Sequence, residues 1–465
     1  MLRAWQQQCI DSAFDSFNNH KHHFLAQATP GAGKTFMAAN LAKRMFENQM
    51  IDFVICFSPS KTVSKSIAEC FSSELNCPFD GKLGTLGSSI TYQSLRHIRE
   101  HFWETLSKYR VLCIFDEIHH CAGNSVLNAN SWGQHILCNV QKASTYTLAL
   151  TGTPWRSNLT PVVLSSYTDP EGKIVCDYQY SLAQAVKDGV CRRPTLALMD
   201  CEHSTIKANN HIESFSSLHE LVTDGNINYS AILHNDSALT HILETAVSRL
   251  KRIRTESPSA GGLIVASSIS HAKKIATLLE STFNQTTTTV TYKEDSSHSR
   301  IERFKSSNTE WIVSVGMVSE GTDIPRLQVC CHLSNIKTEL YFRQILGRIL
   351  RTTSSRNQEA WLYTFAAPKL IQFAEEIEHD IPNSCLFLRE ESETLSTHTD
   401  LSSFSSESPV AVQTSNQISI DFSDETNSTP LFKSNSNTPT YEELSLKDFN
   451  QRVIEAFHYD HHSSV

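Results

Sequence analysis

Apolar runs at Phe53–Phe57, Val111–Phe115 and Leu148–Leu150 alternate with stretches whose apolar residues recur at helical spacing. That alternation predicts a parallel sheet covered by helices on both faces, an α/β architecture. A second alternation starts at Leu263-Ile264-Val265-Ala266, after which Ser270 can cap a helix burying Ile275, Leu278 and Leu279. Trp311–Val315, Val329–Leu333 and Trp361–Phe365 supply further strands. The pattern divides the chain into a first lobe over 1–200, a polar connector over 201–258 with a helical stretch from Leu239 to Ile253, and a second lobe over 259–370. Residues 371–440 follow as an acidic, Ser/Thr-rich tail, expected to be largely disordered because it has few large apolar residues. Leu444, Phe449, Val453 and Phe457 then repeat at near-helical spacing, predicting a short amphipathic helix over 441–459. Such a helix could dock a protein partner or fold back on the lobes; its spacing fits both.

Charge changes the picture once it is divided along the chain. The whole carries a formal charge of -9, but 17 acidic against 4 basic side chains lie from residue 371 onward. The two lobes are therefore mildly basic, which suits a groove that tracks phosphates. Thirteen cysteines form no C-x-x-C pair, so neither a disulfide framework nor a zinc ribbon is signalled. No apolar stretch is long enough to span a bilayer and no signal peptide is read at the N-terminus, so a cytoplasmic protein is expected.

Ala28-Thr29-Pro30-Gly31-Ala32-Gly33-Lys34-Thr35 lies between a short apolar stretch and a helical pattern. A glycine-rich turn between strand and helix surrounds phosphate oxygens with backbone N–H groups, and the helix N-terminus adds its positive dipole end. Thr29, Gly31, Ala32, Gly33, Lys34 and Thr35 are thus expected to bind a nucleotide, with Lys34 on the β/γ-phosphates and the Thr35 hydroxyl on Mg²⁺. The run Val111 to Phe115 ends in Asp116-Glu117-Ile118-His119. Asp116 is expected to partner Mg²⁺, and Glu117 to orient and polarise the attacking water. Far downstream, Gln344, Arg348 and Arg351 stand at i, i+4 and i+7, one helical face, while Phe342, Ile345 and Ile349 form a stripe that can pack inward. Gly347 between them predicts that something approaches that face closely. Arginines there could stabilise γ-phosphate charge in hydrolysis, an effect worth roughly 10³ to 10⁵ in rate.

These motifs, in this order, resemble superfamily 2 DExH-box helicases and translocases from near residue 1 to about 370, in the flavour related to type III restriction motor subunits. The resemblance implies two tandem RecA-like lobes with ATP and Mg²⁺ between them. It assigns adenine reading to Gln6 within Leu2-Arg3-Ala4-Trp5-Gln6, nucleotide contacts to Gly321 and Asp323, and hydrolysis to Glu117, Asp116, Gln344, Arg348 and Arg351. His119 would couple the γ-phosphate to Thr151 or Thr153. Pro59, Ser60, Thr91, Ser267 and Thr322 would touch a nucleic-acid backbone. The implied activity is an ATP-dependent helicase or translocase acting on nucleic acid, with DNA placed ahead of RNA. An RNA helicase, the motor of a restriction or defence complex, and a nucleotide-gated assembly factor without translocation stand as alternatives. Ile345 departs from the pattern, since many members carry arginine after the glutamine.

Overall fold

The computed structural model describes residues 2–121, 130–152, 162–168, 174–208, 211–293, 296–316, 322–378 and 443–456. The first sheet takes β1 (His23–Ala28), β2 (Phe53–Ser58), β3 (Gly87–Thr91), β4 (Val111–Asp116), β5 (Tyr146–Thr151) and, past the short ladder of β6 (Ser166–Tyr167) and β7 (Ile174–Val175), β8 (Tyr178–Tyr180). Its order is β3-β2-β4-β5-β1-β8, and every pairing is parallel. Parallel strands need crossovers that cover both faces, so their side chains are buried on both. β4 illustrates this: Val111, Cys113 and Phe115 enter one apolar cluster, while Leu112 and Ile114 enter the other.

The second sheet takes β9 (Pro194–Ala208), β10 (His211–Phe215), β11 (Gly261–Ala266), β12 (Thr287–Thr291), β13 (Trp311–Val315), β14 (Leu327–Leu333), β15 (Ala360–Phe365) and β16 (Glu443–Glu455). The order β10-β9-β15-β14-β11-β13-β12 makes a second α/β lobe, with β16 added along β9. All residues of β11 and β14 are buried, as expected for its central strands. Each lobe is thus RecA-like, a parallel-centred sheet with helices on its faces.

Two expectations about organisation differ from what is observed. The second lobe begins at Pro194 rather than after a connector, because β9 runs parallel to β15 from Pro194 to Met199 and continues antiparallel to β10. Cys201, Ser204 and Ile206 of β9 are buried, and the helix Asp236–Glu256 buries Leu239, Ile242, Leu243, Ala246, Val247, Leu250 and Ile253. Residues 201–258 therefore belong to the core of the second lobe.

The second difference is at the C-terminus, where a helix over 441–459 is expected and Glu443–Glu455 is a strand. It pairs antiparallel with β9 from Glu443↔Lys207 to Glu455↔Thr195. β15 and β10 share one edge of β9; β16 satisfies the backbone groups of the other. Leu446 and Ile454 are its buried side chains, and Phe449 stacks on His241 at 4.9 Å between ring centroids. An open edge of this length offers hydrogen bonds that a surface helix would leave unmade. The expected disordered stretch, beyond the helix that ends at Glu378, lies outside the described residues.

Candidate active site

The phosphate loop connects β1 to the helix Lys34–Glu47 as the sequence pattern requires. Gly31 and Gly33 have φ of 83° and 95°, the left-handed region that glycine enters without a Cβ penalty. Lys34 begins the helix and is buried, its Nζ 3.2 Å from the Ala28 carbonyl and 3.3 Å from Glu117 Oε1. Gly31, Gly33, Lys34 and Thr35 open on a cleft of about 480 Å³. Thr29, Ala32 and Gln6 form the wall behind it. The Thr29 N–H donates to the Tyr180 carbonyl and the Ala32 N–H to the Thr29 carbonyl. Gln6 is buried, donating through Nε2 to the Gly33 carbonyl (2.9 Å) and accepting from the Arg3 N–H (2.8 Å). Its amide nitrogen therefore props the loop, while its amide oxygen caps the start of the helix Ala4–Asn18. Arg3, which sequence reading left without a role, donates to the Ala32 carbonyl at 2.7 Å and lines the cleft itself.

Asp116 ends β4 at the carboxyl edge of the sheet, where open α/β sheets bind ligands. Glu117 follows with φ 51° and ψ 55°, an unusual conformation for a side chain without an amide and one worth roughly 1–3 kcal/mol of strain. That turn points its carboxylate back at Lys34, with the Gly152 N–H donating to Oε2 at 3.3 Å. Burial works to raise the Glu117 pKa, but Lys34, His119 and the Gly152 N–H outweigh it and hold the carboxylate ionised. Its side chain is 27% exposed, open to the cleft, which softens that burial penalty. Asp116 is driven the other way, by burial and then by the charge on Glu117, against the pull of Lys34. His119 Nδ1 sits 3.0 Å from Thr151 Oγ1 and 3.4 Å from Glu117 Oε2, joining β4 to β5. Thr153 lies outside the described residues, as do Gly321 and the run Met317 to Glu320.

The second lobe forms the opposite wall. The helix Glu339–Leu346 carries Gln344, and the expected packing stripe is present: Phe342, Ile345 and Ile349 are all fully buried. Ile345 departs from the family pattern at a position that is core, so an apolar residue suits it. The single arginine face does not survive, because the helix stops at Leu346 and the chain turns at Gly347. Arg348, past that turn, donates to the Thr322 carbonyl at 2.7 Å. Arg351 forms an antiparallel bridge with Cys191 and an ion pair with Asp323. Gln344, Arg348, Arg351, Thr322 and Asp323 nevertheless all line the same cleft as Lys34. Arg351 also crosses the phosphate loop: a Cβ on Gly31 would lie 3.2 Å from its Cγ. The neighbour anticipated at Gly347 is Pro30, whose Cβ would lie 2.6 Å from a Cβ placed there.

Of the residues expected to touch nucleic acid, Pro59 lines the cleft, and Ser60 caps the helix Lys61–Leu75. Thr91 ends β3, its hydroxyl 2.9 Å from Ser94 Oγ. Ser267 follows β11, its hydroxyl 2.8 Å from His271 Nδ1. Pro59, Ser60 and Thr91 thus cluster at the carboxyl edge of the first sheet. Thr322 instead groups with the nucleotide cleft through Arg348.

Two lobes of this kind facing one cleft define a helicase-type fold. Residues 1–156 match the family described as "Type III restriction enzyme, res subunit". An uncharacterized protein of Mycobacterium leprae is 30% identical over 393 residues, covering 81% of this chain and 64% of that protein. One of Mycobacterium tuberculosis H37Rv is 30% identical over 393 residues, covering 81% and 63%. The chain thus spans a little under two thirds of these relatives. A solved fragment of a putative HsdR subunit of a type I restriction enzyme from Vibrio vulnificus superposes with a TM-score of 0.55 at 16% identity, covering 80% of this chain and 66% of that one. The two lobes have the superfamily 2 helicase fold, and the first 156 residues are related to restriction motor subunits. Among the described residues no helix is long and apolar enough to cross a membrane.

Proposed function

We propose that this protein hydrolyses ATP between its lobes to move along or unwind nucleic acid. One observation carries the reading: the phosphate loop of the first lobe and Arg348 and Arg351 of the second face a single cleft of about 480 Å³, a volume suited to a nucleotide. The residues fit the implied ligands. The glycine cradle leaves room for phosphate oxygens, and Thr35 and Asp116 offer the hard oxygen donors that Mg²⁺ prefers. When bound, Mg²⁺ would neutralise phosphate charge. Lys34 would hold the β/γ-phosphates, and Glu117, kept ionised, would orient water and accept its proton. Arg348 and Arg351 would meet the γ-phosphate, with Gln344 and Asp323 holding their surroundings. Gln6 would read the adenine or act on it through the loop that it props, and Arg3, which lines the cleft beside that loop, would assist.

His119 and Thr151 are the proposed coupling to strand movement, and the edge formed by Pro59, Ser60 and Thr91, together with Ser267 of the second lobe, the proposed track. The res-subunit match over 1–156 favours DNA, and with it a motor acting within a restriction or defence complex. ATP turnover measured alone and with single-stranded DNA, duplex DNA and RNA tests the reading. Stimulation by DNA, abolished in Lys34→Ala, is expected. Stimulation by RNA alone would move the track to RNA, and no stimulation by any of them would favour a nucleotide-gated assembly factor. A Lys34→Ala variant that hydrolyses normally would refute the assignment of the loop.

A further inference from the structure

The stretch that joins the lobes, from Val190 to Arg192, is stitched residue by residue to the arginine-bearing segment. Arg192 N–H donates to the Leu350 carbonyl at 2.7 Å, Cys191 bridges Arg351, and Thr352 Oγ1 reaches the Val190 carbonyl at 3.4 Å. The Arg192 side chain completes the seam. It is only 1% exposed, yet its guanidinium donates to the carbonyls of Leu327 (2.6 Å) and Ile349 (3.2 Å), to Gln358 Oε1 (3.2 Å) and to Thr353 Oγ1 (3.2 Å). These four acceptors are all uncharged. They come from the start of β14, the turn after Gly347 and the loop before β15, and they converge on one planar fork. Burial lowers the Arg192 pKa to about 10, which leaves it charged at neutral pH. Among the described residues no carboxylate pairs with it, and a charge kept in the interior is costly unless hydrogen bonds replace its hydration, as these four do.

The geometry points to Arg192 as a positioning residue: from the linker between the lobes it sets where Arg348 and Arg351 stand relative to the phosphate loop. The segment that completes the cleft is mounted on the linker as well as on the second lobe. A change in lobe angle therefore reaches Arg351 directly, through its bridge to Cys191. The inference rests on the hydrolysis reading above, since it gives those arginines their task.

Arg192→Lys keeps the charge and replaces the planar fork by one nitrogen with three donors, which cannot span four acceptors in three segments. Displacements of about 1 Å at a catalytic group cost on the order of 10²-fold. On that scale the variant should lower kcat for ATP by at least about tenfold with KM changed less than about threefold. In an Arg351→Ala background the same change should cost clearly less than in the wild-type background, because one of the two residues it positions is gone. Equal losses on both backgrounds would mark a merely structural role and overturn the inference, as would a folded Arg192→Lys variant with wild-type turnover. Should Arg192→Lys fail to show a cooperative melt, Thr353→Val removes one acceptor and keeps the fork. It is expected to lower kcat about threefold at constant KM, and wild-type kcat in that variant would overturn the inference. Absence of turnover in the wild-type protein would instead sink the hydrolysis reading, and the positioning role with it.

Discussion

Gly347→Ala isolates lobe closure from stability. Gly347 has φ −56° and ψ −19°, so alanine fits its backbone, and alanine is favoured over glycine in helical conformation by up to about 1 kcal/mol. Folding should therefore be unharmed or slightly favoured. The added methyl would lie 2.6 Å from Pro30 Cβ and 3.1 Å from Pro30 Cγ, where ordinary van der Waals contact begins at 3.4 Å. The shortfall of about 0.8 Å falls on a ring within the phosphate loop, which has no rotamer to escape into. The cheapest relief is to part the lobes, carrying Arg348 and Arg351 away from Lys34. A misplacement of that size costs on the order of 10²-fold in rate. The assay pairs thermal melting with steady-state ATP turnover at saturating nucleic acid. The expected result is an unchanged or higher Tm together with a loss in kcat approaching two orders of magnitude. Wild-type kcat in a folded Gly347→Ala variant would refute the idea that the contact between Pro30 and Gly347 belongs to the productive state.

Removing residues 443–465 should leave one edge of β9 unpaired and turn the protein toward self-association; a monomer of unchanged Tm, by light scattering and melting, would contradict the role given to β16. Buried His271 and His332 have pKa values lowered to about 4, by burial and, for His271, by His234 beside it. Unfolded histidines take up protons near 6.5, so between about pH 6.5 and 4 the unfolded state binds more protons and stability falls as pH is lowered, by up to about 1.4 kcal/mol per pH unit for each residue. Urea midpoints at pH 7 and 5 check this, and His332→Leu should flatten the difference; an equal slope in that variant would contradict the assignment.

Much of the site was legible because its chemistry is local. The phosphate loop and the acids after β4 need consecutive residues of fixed type, and the structure puts them on one edge. What escaped depends on distant partners. The helical spacing of Gln344, Arg348 and Arg351 extends past the point where the helix ends, since Gly347 meets Pro30 and the chain then turns to pair with Cys191. Phe449 and Val453 repeat at a helical interval, yet Val453 is exposed and the buried pair is Leu446 and Ile454, at the even spacing of a strand. The vacant edge of β9 decides that outcome, and no property of residues 443–455 alone announces it. Polar composition hid β9, and it made the helical stretch from Leu239 to Ile253 read as part of a connector, although the helix Asp236–Glu256 buries one face in the second lobe. Arg192 gave no local signal; its role comes from acceptors more than a hundred residues away.

On the proposed reading, the second lobe completes a hydrolytic site begun by the first. Parallel measurement of nucleotide affinity and of DNA-stimulated ATP turnover in wild type, Arg348→Ala and Arg351→Ala tests it most directly. Both variants should bind nucleotide within a few-fold of wild type and lose turnover by roughly 10³ or more. Normal turnover in both variants would contradict it.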